Sequence, residues 1–195
     1  MRRLLGFTVV YVLAILLSGC IFDTREPNPP DPGGEPAIPL DDPLAPFEAM
    51  TVALETLKDA NYERAISESF VFSPLEQDSL DQTFAGTDVY ANWNRTVELD
   101  VLALLISDAQ FIDVQFNPTA EGGTTTFQRF RVNYSLRIVN RGAPTDTSMY
   151  EGVAYIDNRN EGGNWRVVFW DEIDTVPNQQ TWGYLRGILR LRLNP

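Results

Sequence analysis

Between Arg129 and Ile138 the chain alternates strictly. Phe130, Val132, Tyr134, Leu136 and Ile138 are apolar, and Arg129, Arg131, Asn133, Ser135 and Arg137 between them are polar. A period of two puts the two sets on opposite faces of a strand, one buried and one wet. Ala109–Phe116, Ser148–Asp157 and Trp165–Glu172 read as further strands. Turns separate them: Glu121-Gly122-Gly123, a loop over Asn140–Asp146 with Gly142 and Pro144, and Asn158–Asn164 with Gly162-Gly163. Strands joined this way predict an antiparallel meander.

The first half has helical spacing instead. Asp41-Asp42-Pro43 reads as a helix start, and Phe47, Met50, Ala53, Leu54 and Leu57 follow at intervals of three and four. Asn61 can cap a second, short helix with Tyr62, Ala65 and Ile66 on one face; Phe70-Val71-Phe72 then run into Ser73-Pro74, which ends the segment. A third helix is expected from about Thr87 or Asp88, carrying Val89, Tyr90, Trp93, Val97, Val101, Leu102, Leu104 and Leu105. The tail reads as an amphipathic closing helix or strand through Tyr184, Leu185, Ile188 and Leu189. Its Arg186, Arg190 and Arg192 are expected to pair with the body's own carboxylates. Helices first and sheet second define an α+β domain, with N-terminal helices packed on an antiparallel sheet of four strands or more.

The start of the chain has a different pattern. Arg2-Arg3 precede an uncharged apolar run, Leu4 to Leu17, and the small residues Ser18-Gly19 lead to Cys20, the one cysteine of the chain. The run is shorter than the roughly 20 residues that span a bilayer as a helix; basic start, short apolar region and small residues together make an export signal. Leu17-Ser18-Gly19-Cys20 resembles the bacterial lipobox. That resemblance implies cleavage after Gly19, removal of residues 1–19, and acyl chains such as palmitate on Cys20. Two or more chains hold a protein stably on a membrane where one does not. Ile21, in place of an aspartate after the cysteine, points to the outer membrane, facing the periplasm. An exported protein with one cysteine has no internal disulfide to form, and lipidation accounts for that residue.

From Cys20 to Pro43 the composition changes again. Eight of the chain's 13 prolines lie between positions 27 and 46, with Gly33-Gly34 and several acidic residues among them. Such a stretch buries too little apolar surface to fold and serves as an extended tether. The body, 44–195, has the size of one domain. Loss of Arg2 and Arg3 with the leader leaves 13 basic against 27 acidic residues, a net charge of −14. That field repels nucleic acid and anionic head groups.

The order of elements over about Leu44 to Arg190 resembles the nuclear transport factor 2-like superfamily, which includes ketosteroid isomerase and scytalone dehydratase. Tyr62-Glu63-Arg64-Ala65 leading to Phe70-Val71-Phe72-Ser73-Pro74, Trp93, Asn164-Trp165-Arg166-Val167 with Trp170, and Thr181-Trp182-Gly183 carry the likeness. It implies a cone in which a curved sheet wraps a long helix, with a pocket at the open end that binds small apolar molecules in many members and is closed in others. Trp93, Phe130, Tyr134 and Trp170 are its candidate lining. It also implies a possible homodimer through the sheet face, although Arg129, Arg131, Asn133, Ser135 and Arg137 make that face polar.

Chemistry is narrowed by what is missing. The chain has no histidine, which removes the commonest general base near neutral pH and the Ser-His-Asp and Cys-His arrangements. A metal would need an all-oxygen site, and Asp157–Gly162 reads as a hairpin turn, with Arg159 where an oxygen ligand belongs; no metal or cofactor is expected. Asp171-Glu172-Ile173-Asp174 closes the last strand. It reads as a solvated acidic end, or as the source of a pocket base if an apolar wall raises its pKa. The expected function is therefore non-catalytic, either binding a small apolar ligand or docking an envelope protein; an isomerase- or dehydratase-like enzyme with a carboxylate base is the alternative.

Overall fold

A computed structural model describes residues 36–177 and 179–193. Leu17–Cys20 and the tether up to residue 35 lie outside the described residues. Helix α1 spans Ala45–Thr56 and α2 Ala60–Ala65, followed by strand β1 (Ile66–Ser73), a short helix α3 (Glu76–Ser79) and a 3-10 turn at Gln82–Phe84. Then come α4 (Arg95–Asp108), β2 (Ala109–Gly123), β3 (Phe127–Asn140), β4 (Ala143–Glu161), β5 (Asn164–Thr175) and α5 (Trp182–Leu193).

The strands form one mixed sheet in the order β1-β5-β4-β3-β2. The four-strand meander β2 to β5 is antiparallel, as its turns predict. The edge strand β1 pairs parallel to β5, with Phe72 beside Trp170. The sequence does not announce this strand, because Ser67-Glu68-Ser69 breaks the alternation and the burial runs in pairs. Register shifts in β2 and twice between β4 and β5 are bulges of the kind that bend a sheet, so it curves around the helices without closing. The β3 alternation holds: Phe130, Val132, Tyr134, Leu136 and Ile138 are buried. Gly162 and Gly163 have φ of +64° and +93°, the left-handed backbone that the tight β4–β5 hairpin needs and that glycine adopts without strain.

Two helix starts differ from the pattern. Helix α1 begins at Ala45, with Pro46 in its first turn, because the Asp42 side chain accepts from Leu44 N in a preceding turn instead of capping at Pro43. Helix α4 begins at Arg95 and not near Thr87. Asn92 is left-handed, and Asn94 is extended, its side chain accepting from Val97 N. An asparagine that can cap competes with helix continuation. Val89 and Trp93 are buried from turns.

Asn61, read as a cap, does something else. Its side chain donates to Pro36 O and accepts from Ile38 N, both at 3.0 Å. Trp165 N donates to Leu40 O, and Asn158 Nδ2 to Pro43 O. Residues 36–43, proline-rich by composition, thus run along the domain, with Leu40 buried in its core. Among the described residues no helix is long and apolar enough to cross a membrane.

Candidate functional site

The cone's interior is organised around one arginine. Arg186 enters from α5 with 0% of its surface exposed. Its Nε donates to both Glu98 carboxylate oxygens and its Nη2 donates to Glu98 Oε1 at 2.7 Å, a fork geometry that suits a guanidinium. Glu98 projects from α4, where Val101, Leu102 and Leu105 make the buried stripe, and is itself only 2% exposed. Tyr62 Oη and Trp93 Nε1 also donate to it, at 2.7 and 2.8 Å. Four donor groups from three parts of the chain therefore converge on one carboxylate. The guanidinium carbon lies 4.4 to 4.8 Å from the ring centres of Phe72, Trp170 and Trp182, within cation–π range.

Glu172 comes from β5 on the other side of the arginine. Its Oε1 accepts from Gly183 N at 2.9 Å and lies 3.8 Å from Arg186 Nη1; its Oε2 has no hydrogen-bond partner. Thus the acidic strand end is not uniformly solvated: Glu172 is 3% exposed, while Asp171 is half-buried and Asp174 exposed. Burial pushes Glu172 up to about 7, against the pull of the Arg186 charge. Burial opposes the charge on Arg186, but Glu98 outweighs it and holds the guanidinium pKa above its ordinary value. Tyr62 and Tyr134 are both raised by burial and stay protonated.

This arrangement also ties down the start of α5. Trp182 N donates to Tyr134 Oη, Gly183 N to Glu172, and Tyr184 N to Thr181 Oγ1, so the first-turn donors of the helix find partners. Thr181 Oγ1 in turn donates to Asp78 of α3. The helix packs too closely for side chains at its glycines. A Cβ at Gly187 would meet the Tyr90 hydroxyl and lie 2.7 Å from Phe84 Cζ. Gly187→Ala should therefore lower stability by about 1–3 kcal/mol, read as a lower urea midpoint with an unchanged slope.

The four candidate lining residues are all buried, on two sides of Arg186. The ring centres of Tyr134 and Trp170 lie 6.0 Å apart, and both rings pack against Trp182. Phe130 packs edge-on against Phe47, which reaches Trp170 through Phe116. Trp93 sits with Phe72 and Tyr90. Arg186 and Arg192 pair with the body's own carboxylates as expected, Arg186 with Glu98 and Arg192 with Asp108; the sequence reading does not single out Glu98, nor the burial of its pair with Arg186. The signal was present: each occupies an apolar position of its helical stripe, Glu98 with Val101, Leu102 and Leu105, and Arg186 with Trp182, Leu185 and Leu189. Among the described residues no cluster of acidic or thiol groups could hold a metal ion.

No known family model and no curated protein sequence matches the chain. Solved structures do. One is a candidate aromatic ring hydroxylase from Novosphingobium aromaticivorans, with a TM-score of 0.55 and 14% identity over 75% of this chain and 98% of that one. A candidate scytalone dehydratase from the same organism gives 0.52 and 10%, over 67% and 78%. A nuclear transport factor 2-like superfamily protein from Salmonella enterica gives 0.50 and 7%, over 68% and 88%. At these identities the likeness is one of fold: the body has the nuclear transport factor 2-like cone.

Proposed function

We propose that this chain is a lipid-anchored protein of the bacterial envelope, held by acyl chains on Cys20, whose cone domain binds a partner or small molecule without transforming it. The observation that carries the non-catalytic reading is Arg186. Its side chain, with Trp170 and Trp182, fills the space in which a substrate would meet Glu98 or Glu172. A general base must come within hydrogen-bond reach of the proton it removes, and here the guanidinium and three rings stand in the way.

The enzyme reading draws support from one feature. Glu172 combines deep burial with a pKa of about 7, the range suited to a carboxylate base. For it to act, α5 would have to leave, exposing Trp182, Leu185 and Leu189; each costs about 1.5–3 kcal/mol to expose, and Glu98 would lose its guanidinium. That cost favours binding over catalysis.

The anchor is tested by labelling with radioactive palmitate. Wild type should take up label and move to the membrane fraction, and Cys20→Ser should do neither. Label retained by Cys20→Ser would overturn the anchor. Separation of inner and outer membranes on a sucrose gradient tests the outer-membrane placement that Ile21 supports.

A further inference from the structure

Beside the sealed interior, α5 forms a second feature with the far end of the sheet. Leu105 of α4, Ile138 of β3, Tyr150 of β4 and Leu185, Ile188 and Leu189 of α5 line a slot of about 160 Å³. The slot is partly open to solvent, and half-buried Ile188 belongs to its lining. A cavity of about 150 Å³ with leucine, isoleucine and phenylalanine walls is enough to hold benzene.

The rim gives the polarity of an occupant. Arg192 Nη1 pairs with Asp108 Oδ2 at 2.5 Å. Asp108 and Arg192 are the charged residues of the lining and they balance, so the rim leaves no net charge to attract an ion. Asn140 and Ser148 line the same rim, and both have side chains able to donate and accept.

We propose that this slot is a binding site for a neutral, ring-sized molecule with one hydroxyl group, the size and polarity of a simple phenol. This rests on the binding reading above and gives it a place and a ligand class. The ring occupies the space among Leu105, Ile138, Leu185 and Leu189, and the hydroxyl points to Asn140 and Ser148.

The test uses 4-methylphenol as probe and the full mature chain carrying Cys20→Ser, followed by backbone amide NMR. Amides at Leu105, Ile138, Tyr150 and Ile188 should shift saturably, with a dissociation constant of about 1 mM, the usual strength for a ligand of about eight heavy atoms. 4-Methylbenzoate and 4-methylbenzylamine should bind at least about tenfold more weakly. Ile188→Trp should fill the slot and abolish the shifts; Ile188→Phe serves if the larger ring does not fold. Absence of saturable shifts, shifts that persist in the filled variant, or equal binding of the ions would each overturn the proposal. Mass spectrometry of the recovered probe separates the two readings. Unchanged phenol agrees with both, whereas bound and consumed phenol would keep the site and sink the non-catalytic reading.

Discussion

Replacing Arg186 by methionine should cost the domain about 3–5 kcal/mol, the range found when one partner of a buried ion pair is removed. For a domain of this size that is a fall in melting temperature of about 10 °C or more. Methionine approximates the stem of arginine, so the loss would come mainly from charge. Glu98 would keep its two neutral donors, Tyr62 and Trp93, but would remain a buried anion without its cation. Glu98→Gln should also destabilise, because it leaves Arg186 facing only Glu172 at 3.8 Å. The double variant Arg186→Met/Glu98→Gln should recover part of the loss, since two neutral groups replace two charges. Unfolding in urea for wild type, both single variants and the double variant closes a thermodynamic cycle. A double variant whose loss equals the sum of the single losses would show that the pair does not couple. The cone's centre would then be held by its aromatic packing alone.

How much of this could be read from the sequence depends on how local the signal is. The β3 strand was legible because a period of two over ten residues has one explanation, and the β4–β5 hairpin because Gly162-Gly163 meets a backbone need that other residues meet poorly. β1 was not, because its partner β5 lies some 100 residues away and its parallel pairing leaves no turn between them. The start of α4 was misplaced because Val89, Tyr90 and Trp93 have helical spacing yet are buried by turns; the better guide was Asn94, a capping residue three positions before the Val97 N–H it accepts. At the site, the aromatics were legible as inward-facing positions, but what they surround was not. That the tail arginines pair with carboxylates is legible, but which carboxylate is not, because Glu98 and Arg186 meet only when α5 folds back across the cone. Read together, two opposite charges on two apolar stripes identify a buried pair, and the sequence contains that conjunction.

The second large effect concerns acid. The domain should be more stable at pH 5 than at pH 8, and most of the difference should vanish in Glu172→Gln. The Glu172 carboxyl has an ordinary value of 4.5 and is pushed up to about 7 in the folded chain by burial. Between those values the folded state holds a proton that the unfolded state has released, so stability falls as pH rises through that window and levels off above it. At 1.36 kcal/mol per unit, the loss by pH 8 is on the order of 3 kcal/mol. Asp78, also raised by burial, adds to the slope in the same direction. The net charge of −12 adds a further, less local component, because acidification relieves repulsion among surface carboxylates. Glutamine at 172 separates the two. It keeps the shape and can still accept from Gly183 N, but it cannot ionise, so whatever slope remains belongs to the other groups. The two proteins should converge near pH 4.5 and diverge toward pH 8, with Glu172→Gln the more stable there. The measurement is the urea midpoint at half-unit steps from pH 4.5 to 8.5. Parallel curves would mean that Glu172 is ionised throughout, held so by Arg186, and that the arginine is shared evenly between two carboxylates instead of belonging to Glu98.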